Sequence, residues 1–243
     1  MPRHSRQRSE TDVYHIMLRG VNRMDIFNED SDRIMFLHYL KECVKKKHYE
    51  IWGFCLMNNH VHLLVKSDEP GIYMHKLELK YAMWFNDKYE RCGHLFQNRY
   101  RSEVIETEGY LCRCLRYILQ NPVKAGICQS IPEYAWSSYK VYFSLQDSFV
   151  SAGFIRLFFA GRSDFEAYME EIAEEKGILE DRVGDRELRQ LWLDKLSGHI
   201  VTTLSKNEQR DLVREMLKIP GIGIRQLSRI TGIDKGIISR LRK

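Results

Sequence analysis

Two histidines separated by a single residue, His60 and His62, are the side chains with the clearest capacity for chemistry in this sequence. They lie in residues 57–65, MNNHVHLLV, whose aliphatic and β-branched second half lacks a helical period and therefore predicts a β-strand. Successive side chains of a strand point to opposite faces, so both imidazoles should emerge on one face, about 7 Å apart. Two neutral imidazoles at that spacing can hold a divalent metal ion if further ligands are present. The alternative interpretation is a pair of polar residues on a solvated strand face.

A tyrosine and an amide occur four residues apart further along the chain. Residues 108–120 have an apolar face at helical spacing and are followed by Asn121-Pro122, so we predict a helix that ends there. Side chains four apart lie on one face of a helix, and Tyr117 and Asn121 should therefore point the same way from the last turn. A helical tyrosine is most often half-buried packing, but this phenol lies next to an amide of the type that binds metal ions.

The segments around these residues predict an α+β scaffold. Aliphatic runs predict four strands and apolar stripes predict two helices, in the order 13–19 (strand), 32–47 (helix), 49–56 (strand), 57–65 (strand), 72–90 (helix) and 96–105 (strand). The order β-α-β-β-α-β is that of the ferredoxin-like split βαβ sandwich. We expect such a domain over residues 1–143, followed by a helical connector over residues 144–204.

The C-terminal residues 205–243 are strongly basic. They carry 10 Lys/Arg against 4 Asp/Glu, although the net charge of the whole chain is only +5. They begin with a capping-box pattern and then predict two short helices joined by a three-residue turn with a glycine, which is the helix-turn-helix arrangement. Lys235, Ser239 and Arg240 should face outward on the second of these helices, where they could reach a DNA major groove. The alternative is a three-helix protein–protein module.

Composition limits the function classes further. No run of 18 or more apolar residues is present, so the sequence predicts no membrane span. The basic first eight residues lack the apolar stretch of a secretory signal, and the six cysteines form no C-x-x-C pair. We therefore expect a cytoplasmic, nucleoid-associated protein with reduced thiols and no membrane partner.

The two motifs together are much more specific than either alone. NHVHLLV at residues 59–65 is followed about fifty residues later by RYILQNPVKAG at residues 116–126. This pairing closely resembles the HUH single-tyrosine transposases of the insertion-sequence type, and in particular their REP-associated tyrosine transposase branch. The resemblance extends over roughly residues 10–140 and includes LRGVNR at residues 18–23 and YAWSSY at residues 134–139.

The resemblance implies roles for individual residues. In that family the two histidines hold a divalent metal ion, usually Mg²⁺ or Mn²⁺, and a polar residue four after the nucleophilic tyrosine completes the ligand set. By this correspondence His60, His62 and Asn121 would be the metal ligands and Tyr117 the nucleophile, with Gln120 as the nearest rival of Asn121. The implied activity is metal-dependent nicking and rejoining of single-stranded DNA near hairpins through a 5′-phosphotyrosine intermediate.

The implied partner is single-stranded or hairpin DNA, contacted by basic and aromatic side chains. The expected contacts are Arg19, Arg23, Arg99, Arg101, Arg116 and Lys124 for phosphates, and Trp84 or Tyr100 for base stacking. The helix-turn-helix, which many members of the family lack, would bind duplex DNA or a hairpin stem. The alternatives are a domesticated DNA-binding regulator without strand-transfer activity and an RNA-binding ferredoxin-like module. We expect a monomer or a homodimer.

Overall fold

The computed structural model describes residues 7–45, 48–144, 148–171, 178, 185–196, 204–219 and 222–241. The chain divides into two compact units, unit 1 over Met1–Leu179 and unit 2 over Glu180–Lys243. Among the described residues, no helix is both long enough and apolar enough to cross a membrane.

Unit 1 is built on a four-stranded antiparallel sheet. Its strands are β1 (Val13–Arg19), β2 (Tyr49–Leu56), β3 (His60–Ser67) and β4 (Arg101–Val104), arranged across the sheet as β2-β3-β1-β4. Helix α1 (Asp30–Val44) connects β1 to β2, and helix α2 (Pro70–Lys88) connects β3 to β4. This order and these connections are those of the ferredoxin-like split βαβ sandwich, so the predicted fold class is confirmed.

The two faces of the sheet pack against different layers. Strand alternation directs Ile16 and Leu63 into a core shared with α1 and α2. The opposite face, which includes Cys55 and Leu64, packs against the third long helix, α3 (Glu108–Lys124). Because β3 lies between β2 and β1, the strand that carries the two histidines is covered on both faces and at both edges.

Two elements of unit 1 differ most in length from the sequence prediction. β4 contains four residues because it pairs only with Tyr14 to Met17 of β1, and the chain before it contacts β1 through an isolated bridge between Gly20 and Phe96. Helix α3 continues through Pro122 to Lys124. Proline removes only one N–H donor here, and a backbone hydrogen bond of 2.9 Å from Ala125 to Asn121 keeps the last turn closed.

The predicted connector, residues 144–204, is divided between the two units. Helices α4 (Ala152–Arg156) and α5 (Arg162–Glu170) belong to unit 1, where Ile155, Phe165 and Met169 are buried in the core beneath α3. Helix α6 (Asp185–Leu196) belongs to unit 2. The apolar side chains of α4 and α5 extend the layer on the histidine face of the sheet, which is the physical reason that these helices join unit 1.

The described part of unit 2 consists of four short helices, α6, α7 (Lys206–Leu217), α8 (Ile224–Thr231) and α9 (Lys235–Leu241). They enclose a core that includes Trp192, Val213, Leu227 and Ile238. Helix α8 ends at Gly232, whose φ of 74° lies in the left-handed region that favours glycine. The helices α8 and α9 lie where the sequence predicted them, while their role as a helix-turn-helix stays a prediction.

Candidate active site

The sheet brings a third histidine against the predicted pair. His15 on β1 lies opposite Leu64, two residues along the ladder from the pair formed by Met17 and His62, so its side chain shares the face of His62. The Nε2 atom of His15 lies 2.8 Å from Nδ1 of His62, and the two rings stack with centroids 5.0 Å apart. Both side chains are fully buried. Sequence reasoning missed His15 because its partner depends on the register of β1 against β3.

His60 is held by the residue that precedes it. Its Nδ1 atom lies 2.6 Å from the side-chain oxygen of Asn59, and Nδ2 of Asn59 donates to the carbonyl oxygen of Arg23 at 3.2 Å. The rings of His60 and His62 are perpendicular, with centroids 5.0 Å apart. The two side chains are 8% and 0% exposed, so the alternative of a solvated strand face is wrong.

Tyr117 on α3 lies against this histidine cluster. Its ring centroid is 5.6 Å from that of His62 and 6.1 Å from that of His15, both in edge-to-face orientation. The approach of α3 to the sheet depends on Gly53 of β2, because a Cβ atom there would lie 2.9 Å from Cδ1 of Leu115. The predicted nucleophile and the predicted metal-binding pair therefore meet at one place, as the sequence led us to expect.

The two predicted ligands near the end of α3 have different surroundings. Gln120 is buried, and its Nε2 donates to the carbonyl oxygens of Met169 and Glu171 at 2.7 and 3.0 Å, so it is committed to α5 and its flank. Asn121 is half-buried, and its Nδ2 donates to the carbonyl oxygen of Tyr117 at 3.0 Å. This hydrogen bond lies within the helix and does not join Asn121 to a histidine. Of the two amides, Gln120 is thus the one whose side chain is bound to another part of unit 1.

Arg116 does not fit its predicted role as a phosphate contact. It is only 4% exposed, its guanidinium carbon lies 4.3 Å from the ring centroid of Tyr168, and it forms an ion pair with Glu171. Because Arg116 is buried against α5 and not open to solvent, the prediction that it contacts a DNA phosphate is wrong. Tyr100 is likewise 7% exposed and part of the α2-side core, so it offers no open ring for stacking.

The remaining predicted basic contacts lie at or near the surface of unit 1. Lys124 is exposed, with Nζ 5.2 Å from the ring centroid of Tyr117. Arg101 is exposed on β4, opposite Met17 and on the histidine face. Arg19 pairs with His60 across the ladder, and its Nε donates to the side-chain oxygen of Gln97 at 2.8 Å.

The other predicted DNA contacts, Arg99, Arg23 and Trp84, differ in how exposed they are. Arg99 is exposed, and Arg23 is half-buried with a φ of 59° in the left-handed region. Trp84 is half-buried on α2, where Nζ of Lys88 lies 5.0 Å from its ring centroid. Since α2 covers the face of the sheet opposite to the histidines, Trp84 is not part of the histidine cluster.

Burial controls the charge of the histidine cluster. Burial and, to a smaller extent, the positive charge of Arg101 together lower the pKa of His15 to about 3. Burial also lowers the pKa of His62 well below the ordinary value, with smaller contributions from the charges of His60, His15 and Arg101. His15 and His62 are therefore neutral at physiological pH, which is the form of imidazole that binds metal ions.

The pair formed by His60 and His62 fits a divalent metal ion. The described His, Cys, Asp and Glu side chains alone, however, do not form a complete set of ligands. In the described part of the chain, no three His, Cys, Asp or Glu side chains are arranged to hold a metal ion. Nε2 of His62 is buried and has no hydrogen-bond partner among the described residues, which is costly unless another species binds there. Two imidazoles bound to one ion at about 2.1 Å would place their ring centroids about 4.5–5 Å apart, which agrees with the spacing of His60 and His62. The third protein ligand would have to be of another type, such as an amide.

A protein-family model matches the segment that carries these residues. Residues 10–121 match the family model described as "Transposase IS200 like". This segment is an IS200-like transposase domain. It includes β1 to β4, His60, His62 and Tyr117, and the match ends at Asn121. Helices α4 and α5 and all of unit 2 lie beyond the matched residues 10–121.

A solved structure resembles the protein over a larger part of the chain. It is a REP-associated tyrosine transposase bound to a REP hairpin, with 17% sequence identity and a TM-score of 0.51. The likeness covers 72% of this chain and 100% of that chain, and at this identity it shows a common fold. No curated protein sequence matches this chain significantly.

Proposed function

We propose that this transposase nicks and rejoins single-stranded DNA near hairpins through a 5′-phosphotyrosine on Tyr117. His60, His62 and Asn121 would hold a divalent metal ion, Mg²⁺ or Mn²⁺. The observation that carries the proposal is the edge-to-face contact of the Tyr117 ring with the buried, neutral His62, at 5.6 Å between centroids. A phenol and a metal-binding imidazole pair at one place provide a nucleophile and a Lewis-acid site for the same phosphate.

The covalent step uses the phenol oxygen of Tyr117. As that oxygen attacks the phosphorus in line, the O–P bond to tyrosine forms and the bond from phosphorus to the 3′ oxygen breaks. The phenol proton passes to solvent, and the leaving oxygen takes up a proton to become a 3′-hydroxyl. Because the phosphotyrosine conserves the energy of the phosphodiester, a second 3′-hydroxyl can reverse the step and join two strands.

A phenol is a weak nucleophile at neutral pH, so its surroundings must assist it. A bound divalent ion would polarise the scissile phosphate and stabilise the charge that develops on its oxygens. The contribution of the chain itself is to position the phenol. Helix α3 packs on the sheet, and the ring of Tyr117 is oriented by its contacts with His62 and His15.

Positive charge around the site supports DNA as the partner. Lys124 lies 5.2 Å from the Tyr117 ring centroid, and Arg101 is exposed on the same face of the sheet, so both could hold phosphates next to the nucleophile. The proposed set of phosphate contacts in unit 1 is Arg19, Arg23, Arg99, Arg101 and Lys124.

Unit 2 would add a contact to duplex DNA or a hairpin stem. Lys235, Ser239 and Arg240 are all exposed on α9, while Ile238 between them is buried in the core of the unit. Helix α9 thus exposes polar side chains to solvent and is packed on the core of unit 2 through Ile238, as a recognition helix requires.

The proposal is tested by incubating the protein with labelled single-stranded hairpin DNA and Mn²⁺ and separating the products on a denaturing gel. The DNA should come from the flanks of the gene or from a randomised pool. We expect a covalent protein–DNA band with the wild type and with Tyr110→Phe, a matched change two turns earlier on α3, and no band with Tyr117→Phe. A band that persists in Tyr117→Phe would place the nucleophile elsewhere. If none of the three proteins gives a band while all bind the DNA, the domesticated regulator is the better account.

A further inference from the structure

The hydrogen bonds on the Nδ1 side of both histidines indicate how the site is prepared for its metal ion. A neutral imidazole carries one proton, and it can bind a metal only through the nitrogen that lacks it. The partner of the other nitrogen therefore decides which nitrogen is available. In this structure each of the two proposed ligands, His60 and His62, has a side-chain partner at Nδ1.

The partner of His60 determines where its proton lies. Nδ2 of Asn59 donates to the carbonyl oxygen of Arg23, which can only accept, so the amide oxygen of Asn59 is the atom that faces His60. That oxygen lies 2.6 Å from Nδ1 of His60. A hydrogen bond between the two requires the proton on Nδ1, and Nε2 of His60 then keeps its lone pair.

His15 has the same relation to His62, but here two proton arrangements compete. The proton between the rings can lie on Nδ1 of His62, which leaves the lone pair of His62 on Nε2. It can instead lie on Nε2 of His15, and Nε2 of His62 is then protonated and unable to bind a metal ion. Nε2 of His62 and Nδ1 of His15 are both buried without a hydrogen-bond partner among the described residues. Each arrangement thus leaves one buried N–H unpaired, so neither is strongly preferred by the protein alone.

We propose that His15 is a positioning residue that accepts the Nδ1–H hydrogen bond of His62, as Asn59 accepts that of His60, so that both histidines present Nε2 to the metal ion. The proposal rests on the metal site of the proposed function. Metal binding selects the first of the two proton arrangements, and His15 makes that arrangement possible because its Nε2 is an acceptor buried at hydrogen-bond distance. His15 is not itself a ligand, since its Nε2 faces His62.

Metal affinity measured without DNA tests the proposal. Mn²⁺ binding is followed by electron paramagnetic resonance for the wild type, His15→Leu, His15→Gln and the control His38→Leu, whose histidine is 61% exposed on α1. Loss of a hydrogen-bond partner behind a metal ligand typically weakens binding about 10- to 100-fold, and we expect a change of that size in His15→Leu. Glutamine offers an amide oxygen as acceptor, so His15→Gln should recover most of the affinity, and His38→Leu should bind as the wild type does.

Two outcomes of this titration overturn the proposal. The first is wild-type affinity in His15→Leu, and the second is a His15→Gln variant as weak as His15→Leu, which would mean that the imidazole only fills space. A wild-type protein that does not bind Mn²⁺ at all would overturn the metal assignment of the proposed function instead. Urea unfolding of each variant shows whether it is folded.

Imidazole nitrogen shifts give a second measurement that needs no variant. Long-range ¹H–¹⁵N spectra of the wild-type protein saturated with Mg²⁺ should show His60 and His62 protonated at Nδ1, with the Nε2 signal shifted on Mg²⁺ addition. A protonated Nε2 of His62 in the Mg²⁺-bound protein would overturn the proposal whatever the variants do.

Discussion

Arg116 and Gln120 lie one turn apart on α3, and both bind the C-terminal end of α5. Arg116 donates to the carbonyl oxygen of Tyr168 at 3.3 Å, and Gln120 donates to that of Met169 at 2.7 Å. The helix that carries Tyr117 is therefore held by a later segment of its own chain. The partners Tyr168 and Met169 lie outside the matched residues 10–121, because α5 follows that segment in the chain.

Replacement of Arg116 should affect stability and not DNA contact. Arg116→Met removes the ion pair with Glu171 and the contact with the Tyr168 ring, both at a buried guanidinium. We expect the free energy of unfolding in urea to fall by about 1–3 kcal/mol, as for other buried charged hydrogen bonds. The salt dependence of DNA affinity should stay as in the wild type.

The matched variant Arg101→Gln should behave in the opposite way. Arg101 is exposed, so its loss should change the free energy of unfolding by no more than about 0.5 kcal/mol. If it contacts a phosphate, the slope of log affinity against log salt concentration should decrease by about 1. If the slope of log affinity against log salt concentration were smaller in Arg116→Met than in Arg101→Gln, Arg116 would be a DNA contact after all.

Gly53 sets the distance of α3 from the sheet. In Gly53→Ala the added methyl group would lie 2.8 Å from the hydroxyl oxygen of Tyr142 and 2.9 Å from Cδ1 of Leu115. Such overpacking typically costs about 1–3 kcal/mol, and we expect a loss of that size in urea unfolding, together with slower formation of the covalent DNA complex. In the control Gly153→Ala the methyl group would meet no atom within 4 Å, and stability should be unchanged or slightly higher.

Asp32 gives unit 1 a pH-dependent contribution to stability. Its buried carboxylate accepts hydrogen bonds from the N–H groups of Asn28 and Glu29, from Lys88 and from the hydroxyl of Tyr89. Burial alone raises the pKa of Asp32, but the hydrogen bond from Lys88 and the other donors outweigh it, and the pKa lies below its ordinary value. The contribution is therefore present above the pKa of the unfolded chain and is lost as the pH falls through the lower pKa of the folded protein.

Asp32→Asn should accordingly lower the free energy of unfolding by about 3 kcal/mol at pH 7, because it breaks a buried charged network. The difference from the wild type should shrink as the pH falls below about 4, because Asp32 of the unfolded chain takes up a proton there while the carboxylate of the folded protein is protonated only at lower pH. Urea titrations at several pH values measure this difference. The control Asp30→Asn changes a side chain that is 75% exposed and should have little effect, and a pH-independent difference for Asp32→Asn would contradict the account.

The exposed face of α9 should contribute to binding of duplex DNA. We expect the double variant Lys235→Gln/Arg240→Gln to weaken binding to duplex or hairpin-stem DNA and to decrease the salt slope by up to about 2. The double variant Lys206→Gln/Arg210→Gln removes the same charge from α7, whose two side chains are also exposed, and should have a smaller effect. Equal effects of the two variants would indicate nonspecific attraction to a basic unit and not a recognition helix.

The order of elements in unit 1 could be predicted because each element has a clear local pattern. The strand over residues 13–19 and the strand over residues 49–56 were predicted at their observed ends. The strand over residues 96–105 was predicted too long, since pairing with β1 and not local propensity determines where β4 begins. Pro122 was taken as a helix end, but α3 continues through it to Lys124.

The site could be predicted only as far as spacing and the family resemblance reach. They predicted one site with His60, His62 and Tyr117, and the ring centroid of His62 lies 5.0 Å from that of His60 and 5.6 Å from that of Tyr117. The position of His15 depends on strand register, and the burial of Arg116 depends on a helix fifty residues away in the chain. Neither feature can be recognised from the residues nearby in the sequence. The residue type alone could therefore not show whether His15 positions another histidine or only fills the core. In the same way, it could not show whether Arg116 contacts a phosphate or stabilises the fold.

Mass spectrometry of the covalent complex tests the central claim most directly. The wild-type protein is incubated with hairpin DNA and Mn²⁺, digested with nuclease and trypsin, and searched for peptides that carry a nucleotide phosphate. The account predicts the modification on Tyr117, in the tryptic peptide of residues 117–124 or, if cleavage after Arg116 is blocked, of residues 114–124. A nucleotide on any other residue, with an unmodified Tyr117 peptide in the purified complex, would contradict the account.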